Sequence, residues 1–187
     1  SALPDHLCIN TYRTFQSETI YIDTGMCANP YTIARYARMM ELDQREALNS
    51  VVISRAFTVY QLSSIIQDLL EPLLQKKNPR TLIIGMPPAL YSDPDVPTQE
   101  AETLLQQDLE KLQVLTKKYQ LITVFTNLDA LPLPPSRGLG KTLYEHVNEI
   151  VRMKEFEHGT SLELVKQEKH AMIRRCEEGQ LCLEDFG

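Results

Sequence analysis

The stretch Pro135-Ser-Arg-Gly-Leu-Gly-Lys141-Thr142 ends in Gly-Lys-Thr, a triplet that can cradle phosphate with backbone amides and a lysine ammonium when it follows a strand. Its opening residue argues against that chemistry. The position that needs a first glycine is Pro135, which can neither take a positive φ nor donate an N–H. The prolines before it also oppose a tight strand-to-loop entry, so an exposed surface loop is the simpler reading. Asp23 closes the run Glu18-Thr-Ile-Tyr-Ile-Asp23. A carboxylate there can hold a metal or nucleotide, or can cap the following turn; the second role is the commoner one. His6, His146, His158 and His170 are scattered, and Cys8, Cys27, Cys176 and Cys182 fall at no metal-ligand spacing. No Ser-His-Asp or Cys-His arrangement is present, so neither a catalytic residue nor a metal ligand is assigned.

These residues must be positioned by a fold, and composition bounds which one. The 187 residues are 43% hydrophobic and 24% charged, with net charge -6. That is a globular chain, long enough to close a core without disulfides. The acidity opposes strong stand-alone binding to nucleic acid, which would then need a local basic patch. Free thiols, no membrane-spanning run and no signal peptide lead to the expectation of an intracellular protein, cytoplasmic or nuclear.

Strands and helices alternate along the chain. Strands are predicted at 18–23, 50–54, 80–85 and 121–126, the third a near-continuous apolar run of the kind buried on both faces. Helices are predicted from Asn29-Pro30 to Leu42, from a Thr58 cap to about Gln75, and from Thr98 to Tyr119. Pro-rich loops are expected over 87–97 and 131–140. From Glu149 onward the pattern is strand, turn, strand. This order predicts an α/β fold, a mostly parallel sheet with helices on both faces and an antiparallel C-terminal edge, in one domain over 1–187. Arg55 is expected to anchor an ion pair or subunit contact, and Phe57 and Tyr60 to pack. The charges of Lys166, Lys169, Arg174 and Arg175 alternate with glutamates and read as a solvated face.

The strand ends, where open α/β sheets place their ligands, read Tyr21-Ile22-Asp23-Thr24, Arg55-Ala56-Phe57, Leu82-Ile83-Ile84 followed by Gly85-Met86-Pro87, and Thr126-Asn127. In order and spacing they resemble the core of RecA/RadA-type recombinases, a resemblance spanning nearly the whole chain. His6 to Gln16 resembles the helix after that family's phosphate loop. The resemblance implies a RecA-like core and a role in DNA recombination or repair. It also marks what differs: Gly25 stands where the family's water-activating glutamate would be, no Walker B aspartate occurs within Gly85-Met86-Pro87, and Leu128 replaces the γ-phosphate-sensing glutamine. A degenerate ATPase is therefore expected, non-catalytic or weakly catalytic.

By the same resemblance, Ser1 and Asp23 are the positions left for nucleotide contact. ATP and Mg²⁺ are expected only if a phosphate loop precedes residue 1; otherwise no cofactor is expected. The loops corresponding to the family's DNA-contacting ones are Leu90 to Thr98, acidic through Asp93 and Asp95, and Ala130 to Lys141, where Arg137, Gly138, Gly140 and Lys141 could meet the phosphates of single-stranded DNA. Partners would be further copies or a recombinase relative. Two alternatives stay open: a RecA-fold scaffold of the Elongator type that binds protein or RNA, and an active DNA-dependent ATPase.

Overall fold

The computed structural model describes residues 3–85, 87–127, 138–156 and 159–174, with nothing said of the side chains of Pro87 and Arg174. The described chain forms two compact units, Ser1–Thr142 and Leu143–Gly187.

The first unit is built on four parallel strands: β1 (Thr19–Asp23), β2 (Val51–Arg55), β3 (Thr81–Gly85) and β4 (Ile122–Thr126), in the spatial order β2-β1-β3-β4. Every residue of β1 and β3 is buried, as their apolar runs predict. Helices α1 (Leu3–Phe15), α2 (Pro30–Met39) and α3 (Gln44–Asn49) supply one layer. Cys8 of α1 packs on Tyr21 and Ile83, while Ile9, Ile33, Ala37 and Ala47 join the three helices. Strand alternation turns Ile20, Ile22, Leu82 and Ile84 to the opposite face, where they are fully buried. The remaining helices are α4 (Val59–Ser64), a π-helical turn Ile65–Leu69, α5 (Leu70–Lys77), α6 (Pro87–Tyr91) and α7 (Thr98–Tyr119). Leu62 of α4, Ile66 of the π turn, Leu70 and Leu74 of α5, and Leu105, Leu109, Leu112 and Leu115 of α7 are buried at helical spacing.

Local chemistry accounts for the helix ends. Asn29 caps α2 by accepting from the Tyr31 N–H at 3.0 Å, with Pro30 in its first turn, and Thr58 caps α4 by accepting from Gln61 N–H. The π-helical turn has a cause in sequence. Pro72 is the third residue of α5; it has no N–H, and its ring crowds the carbonyl four residues back, inside the π turn. The helix widens just before it, and the Leu70 N–H bonds to the Ile65 carbonyl instead.

Three expectations are modified. The 87–97 stretch holds a short helix, α6, since prolines are tolerated in a first helical turn. Helix α3 is additional, capped by Asp43 accepting from Glu46 N–H at 2.8 Å. The antiparallel C-terminal element is a sheet of its own rather than an edge of the parallel one: β5 (Val151–Phe156), β6 (Gly159–Leu164) and β7 (Lys169–Arg174), order β5-β6-β7. Helix α8 (Gly138–His146) precedes it in the chain. Among the described residues, no helix is long and apolar enough to cross a membrane.

One buried carboxylate ties the helices of the second layer together. Asp108 of α7 accepts from Ser63 Oγ at 2.9 Å, Gln67 Nε2 at 2.7 Å and the Tyr91 hydroxyl at 2.6 Å. It thereby joins α4, the π turn and α6 to α7. Asp108→Ala strands the buried Tyr91 hydroxyl alone at about 1–3 kcal/mol, so urea unfolding should show a loss of at least that size.

Candidate functional site

The register of the parallel sheet aligns its four carboxyl ends in one row. Asp23 lies opposite Arg55 on one side and Gly85 on the other, and Gly85 lies opposite Thr126. The chain leaves β1 toward β2 but leaves β3 toward β4, so the order reverses between β1 and β3. This is the switch point at which open α/β sheets take ligands, and its walls are Asp23 and Gly85.

Asp23 is 1% exposed. Its Oδ1 accepts from the N–H groups of Gly25 at 3.2 Å and Cys27 at 3.0 Å, and its Oδ2 accepts from Ala28 N–H at 3.0 Å. Arg55 Nε sits 3.6 Å from Oδ2. The carboxylate thus caps the turn leading into α2, and Arg55 anchors an ion pair, as its place after a strand implies. Across the switch point, Thr24 bonds the Gly85 carbonyl twice, through its N–H at 3.1 Å and its hydroxyl at 2.5 Å.

Gly85 has its own constraint. A Cβ built there would lie 3.0 Å from Tyr21 Cε2 and 3.1 Å from its hydroxyl oxygen. The Tyr21 ring therefore occupies the space into which a side chain at 85 would begin to project. Tyr21 is fully buried, and its hydroxyl has no hydrogen-bond partner among the described residues. Burial, then the Asp23 charge, push its ionisation up.

Two further groups complete the cluster, neither marked out by sequence spacing. Asp5, in the first turn of α1, is 2% exposed and accepts from Asn29 N–H at 3.4 Å. Burial, with the Asp23 charge a smaller contributor, raises its pKa from 3.8 to about 6 against the lowering effect of the Asn29 bond. Cys8, one turn further along α1, is pushed up to about 12 by burial and then by Asp5. Its thiol stays protonated, and Cys8 and Cys27 are unbridged.

Of the other sequence-derived site residues, Ser1 and Arg137 lie outside the described residues, as do Met86 and Leu128. Gly138, with φ +49°, opens α8; Gly140 is buried and Lys141 exposed in its first turn. Glu102 Oε1 stands 3.4 Å from where a Cβ on Gly138 would be, so a carboxylate already faces this turn. Phe57 and Tyr60 do not pack: they are 59% and 50% exposed. They follow β2, which among the described residues is an edge strand of the sheet. An open groove of about 280 Å³ lies there, lined by Arg55, Phe57, Gln61, Ser64, Ile65 and Leu69.

The Asp5 displacement has a measurable consequence. Because its folded pKa lies above the unfolded value, the native state binds the extra proton between about pH 4 and pH 6, and stability falls as pH rises through that window. The shift from 3.8 to about 6 is worth roughly 3 kcal/mol. Asp5→Asn should therefore match the parent protein near pH 4 and exceed it by up to that amount at pH 8, read by urea unfolding across the range.

The family relationship agrees with this geometry. A family model described as Rad51 matches residues 8–132, well over half of the chain and including the whole row of strand ends. The chain belongs to the Rad51 family, within the RecA/RadA-type recombinase superfamily.

Proposed function

We propose that this chain is a recombinase-family protein that works by assembly rather than by nucleotide hydrolysis, in DNA recombination or repair. The observation that carries the reading is the switch point itself. A triphosphate with its magnesium, which the family implies, calls for a carboxylate at the end of the third strand and another to orient the attacking water. Here β3 ends in Gly85 against the Tyr21 ring, and Gly25 follows β1. Asp23 spends its oxygens on three backbone amides and Arg55. These features support a switch point that does not serve that cofactor.

Assembly has a surface to use. Among the described residues β2 is an edge of the four-stranded sheet, and the groove at its end exposes Phe57 and Leu69. An extended segment of a second copy or of a recombinase relative can add to such an edge while seating an apolar side chain in the groove. Single-stranded DNA contact through Lys141 and the start of α8 belongs to the same reading.

Two measurements test it. Phosphate release from ATP, with and without single-stranded DNA, should stay at the level of a no-enzyme control; DNA-stimulated turnover would overturn the reading. Phe57→Asp with Leu69→Asp should leave the fold intact, since both side chains are exposed, yet shift the sedimentation profile from assemblies to monomer. An unchanged profile would show that the β2 edge is not the assembly surface.

A further inference from the structure

Helix α2 has an outer face that the packing of the sheet does not use. Its inner residues Ile33 and Ala37 are fully buried in the cluster that joins α1, α2 and α3. At 3.6 residues per turn, Tyr31, Arg35, Arg38 and Met39 fall together on the side turned away from that pair. All four are exposed, Tyr31 at 87% and Met39 at 60%. The stripe runs nearly the length of the helix, about 12 Å from Tyr31 to Met39 at the helical rise per residue.

A solvated helix face is ordinarily polar, with carboxylates and cations paired one turn apart. This one departs on both counts. On a chain of net charge -6, no acidic residue occurs from Thr24 to Met40. Arg35 and Arg38 make no ion pair among the described residues. Of the carboxylates that follow, Asp43 caps α3 by accepting from Glu46 N–H at 2.8 Å, and Glu46 accepts from the Tyr12 hydroxyl at 2.9 Å. Arg38 lies in the last turn, where a cation offsets the negative end of the helix dipole. Arg35 lies in the middle of the helix, over the Tyr36 ring at 5.5 Å, and the dipole does not account for it. Tyr31 and Met39, held in water, forgo the stabilisation that burying their apolar surface would supply.

Tyrosine, arginine and methionine are enriched where proteins meet, whereas lysine and the carboxylates are depleted there. The stripe has that composition. Its two guanidiniums lie one turn apart, about 4.5 Å along the axis. They match two carboxylates at the same spacing on a partner helix, and each can take a two-point hydrogen bond. Tyr31 and Met39, at the two ends, suit apolar side chains on either side of that pair. Two adjacent cations between apolar groups are too few to follow a chain of phosphates, whose binding draws on many contacts. The complement is therefore a short acidic protein surface.

We propose that the stripe Tyr31, Arg35, Arg38 and Met39 docks an acidic amphipathic helix of a partner protein. The inference goes beyond the assembly reading and uses neither the switch point nor the β2 edge. The test uses the full chain and a labelled peptide stapled as a helix, with glutamates one turn apart on one face and leucines on either side of them. Binding is followed by fluorescence anisotropy. The parent chain should bind this peptide, and glutamine in place of its glutamates should weaken binding by about tenfold or more. Arg35→Glu/Arg38→Glu should lose the acidic peptide by a similar factor and gain a lysine version that the parent chain rejects. That exchange also shows the variant to be folded. Tyr31→Ala should weaken the parent pairing by about tenfold with no change in melting temperature, because the side chain is exposed. Three results would each overturn the assignment: no binding of the acidic peptide by the parent chain, equal binding by the charge-reversed variant, or equal competition by polyglutamate at matched charge. Two more would give the stripe to a different occupant and sink the proposal as well. One is oligothymidine displacing the peptide, which would make it a nucleic-acid contact. The other is a shift from assemblies to monomer on reversing the two arginines, which would make it a contact between copies. The hydrolysis assay and the Phe57/Leu69 variants do not touch α2, so failure here and failure of the assembly reading are separable.

Discussion

The carboxylate of Asp23 organises the end of the sheet where a Rad51-family protein would meet its ligand. It sits at the last position of a strand buried on both faces, and its two oxygens gather the amides of Gly25, Cys27 and Ala28. That gathering sets the path of residues 24–28, and the path places Asn29 to cap α2. It also draws Arg55 in from the neighbouring strand. A buried carboxylate without such partners would be costly to keep charged; with them it is a structural hub. Asp5, brought near by α1, shows the cost in the other direction: it has one long hydrogen bond and a raised pKa, because burial there is met by one amide rather than three.

Much of this could be read from the sequence, because the signals are local. The apolar runs of β1 and β3, the leucine seam of α7 and the caps at Asn29 and Thr58 each lie within one element, and each is found where its pattern puts it. Asp43 with Glu46 three residues on was an equally local cap signal for α3, and Pro72 a local cause for the π turn; both were available in the residue order. What resists local reading is contact across distance. Nothing near Asp108 indicates that Ser63, Gln67 and Tyr91 will converge on it, and nothing near Gly85 indicates that Tyr21 will fill the space above it. Phe57 and Tyr60 are apolar enough to be assigned to a core, yet they fall just beyond an edge strand that has no neighbour to pack them.

Charge is divided along the sheet in a way that net composition hides. Two carboxylates, Asp5 and Asp23, are buried at the carboxyl ends, answered chiefly by backbone amides and one arginine. At the amino ends, cations outnumber carboxylates, and Arg13, Lys76, Lys117 and Lys118 are exposed. The parallel topology produces this polarity directly: each helix returning to start a new strand brings its C-terminus, and the lysines that suit it, to the same end.

The edge strand gives the last step. An unpaired strand invites uncontrolled pairing, and proteins that remain monomeric blunt such edges with lysines, prolines or bulges. Val51-Val-Ile-Ser-Arg55 has none of these along its length; its single charge stands at the end and is directed to Asp23. The groove beside it is lined by Phe57, Ile65 and Leu69, with the π turn supplying two of the three. Pro72, by widening the helix, shapes one wall of that groove, so the irregularity and the open edge belong to one surface. On the proposed reading the two features go together: a strand added at this edge would need it to hold its shape without nucleotide, and a switch-point carboxylate bonded to its own backbone is compatible with that requirement.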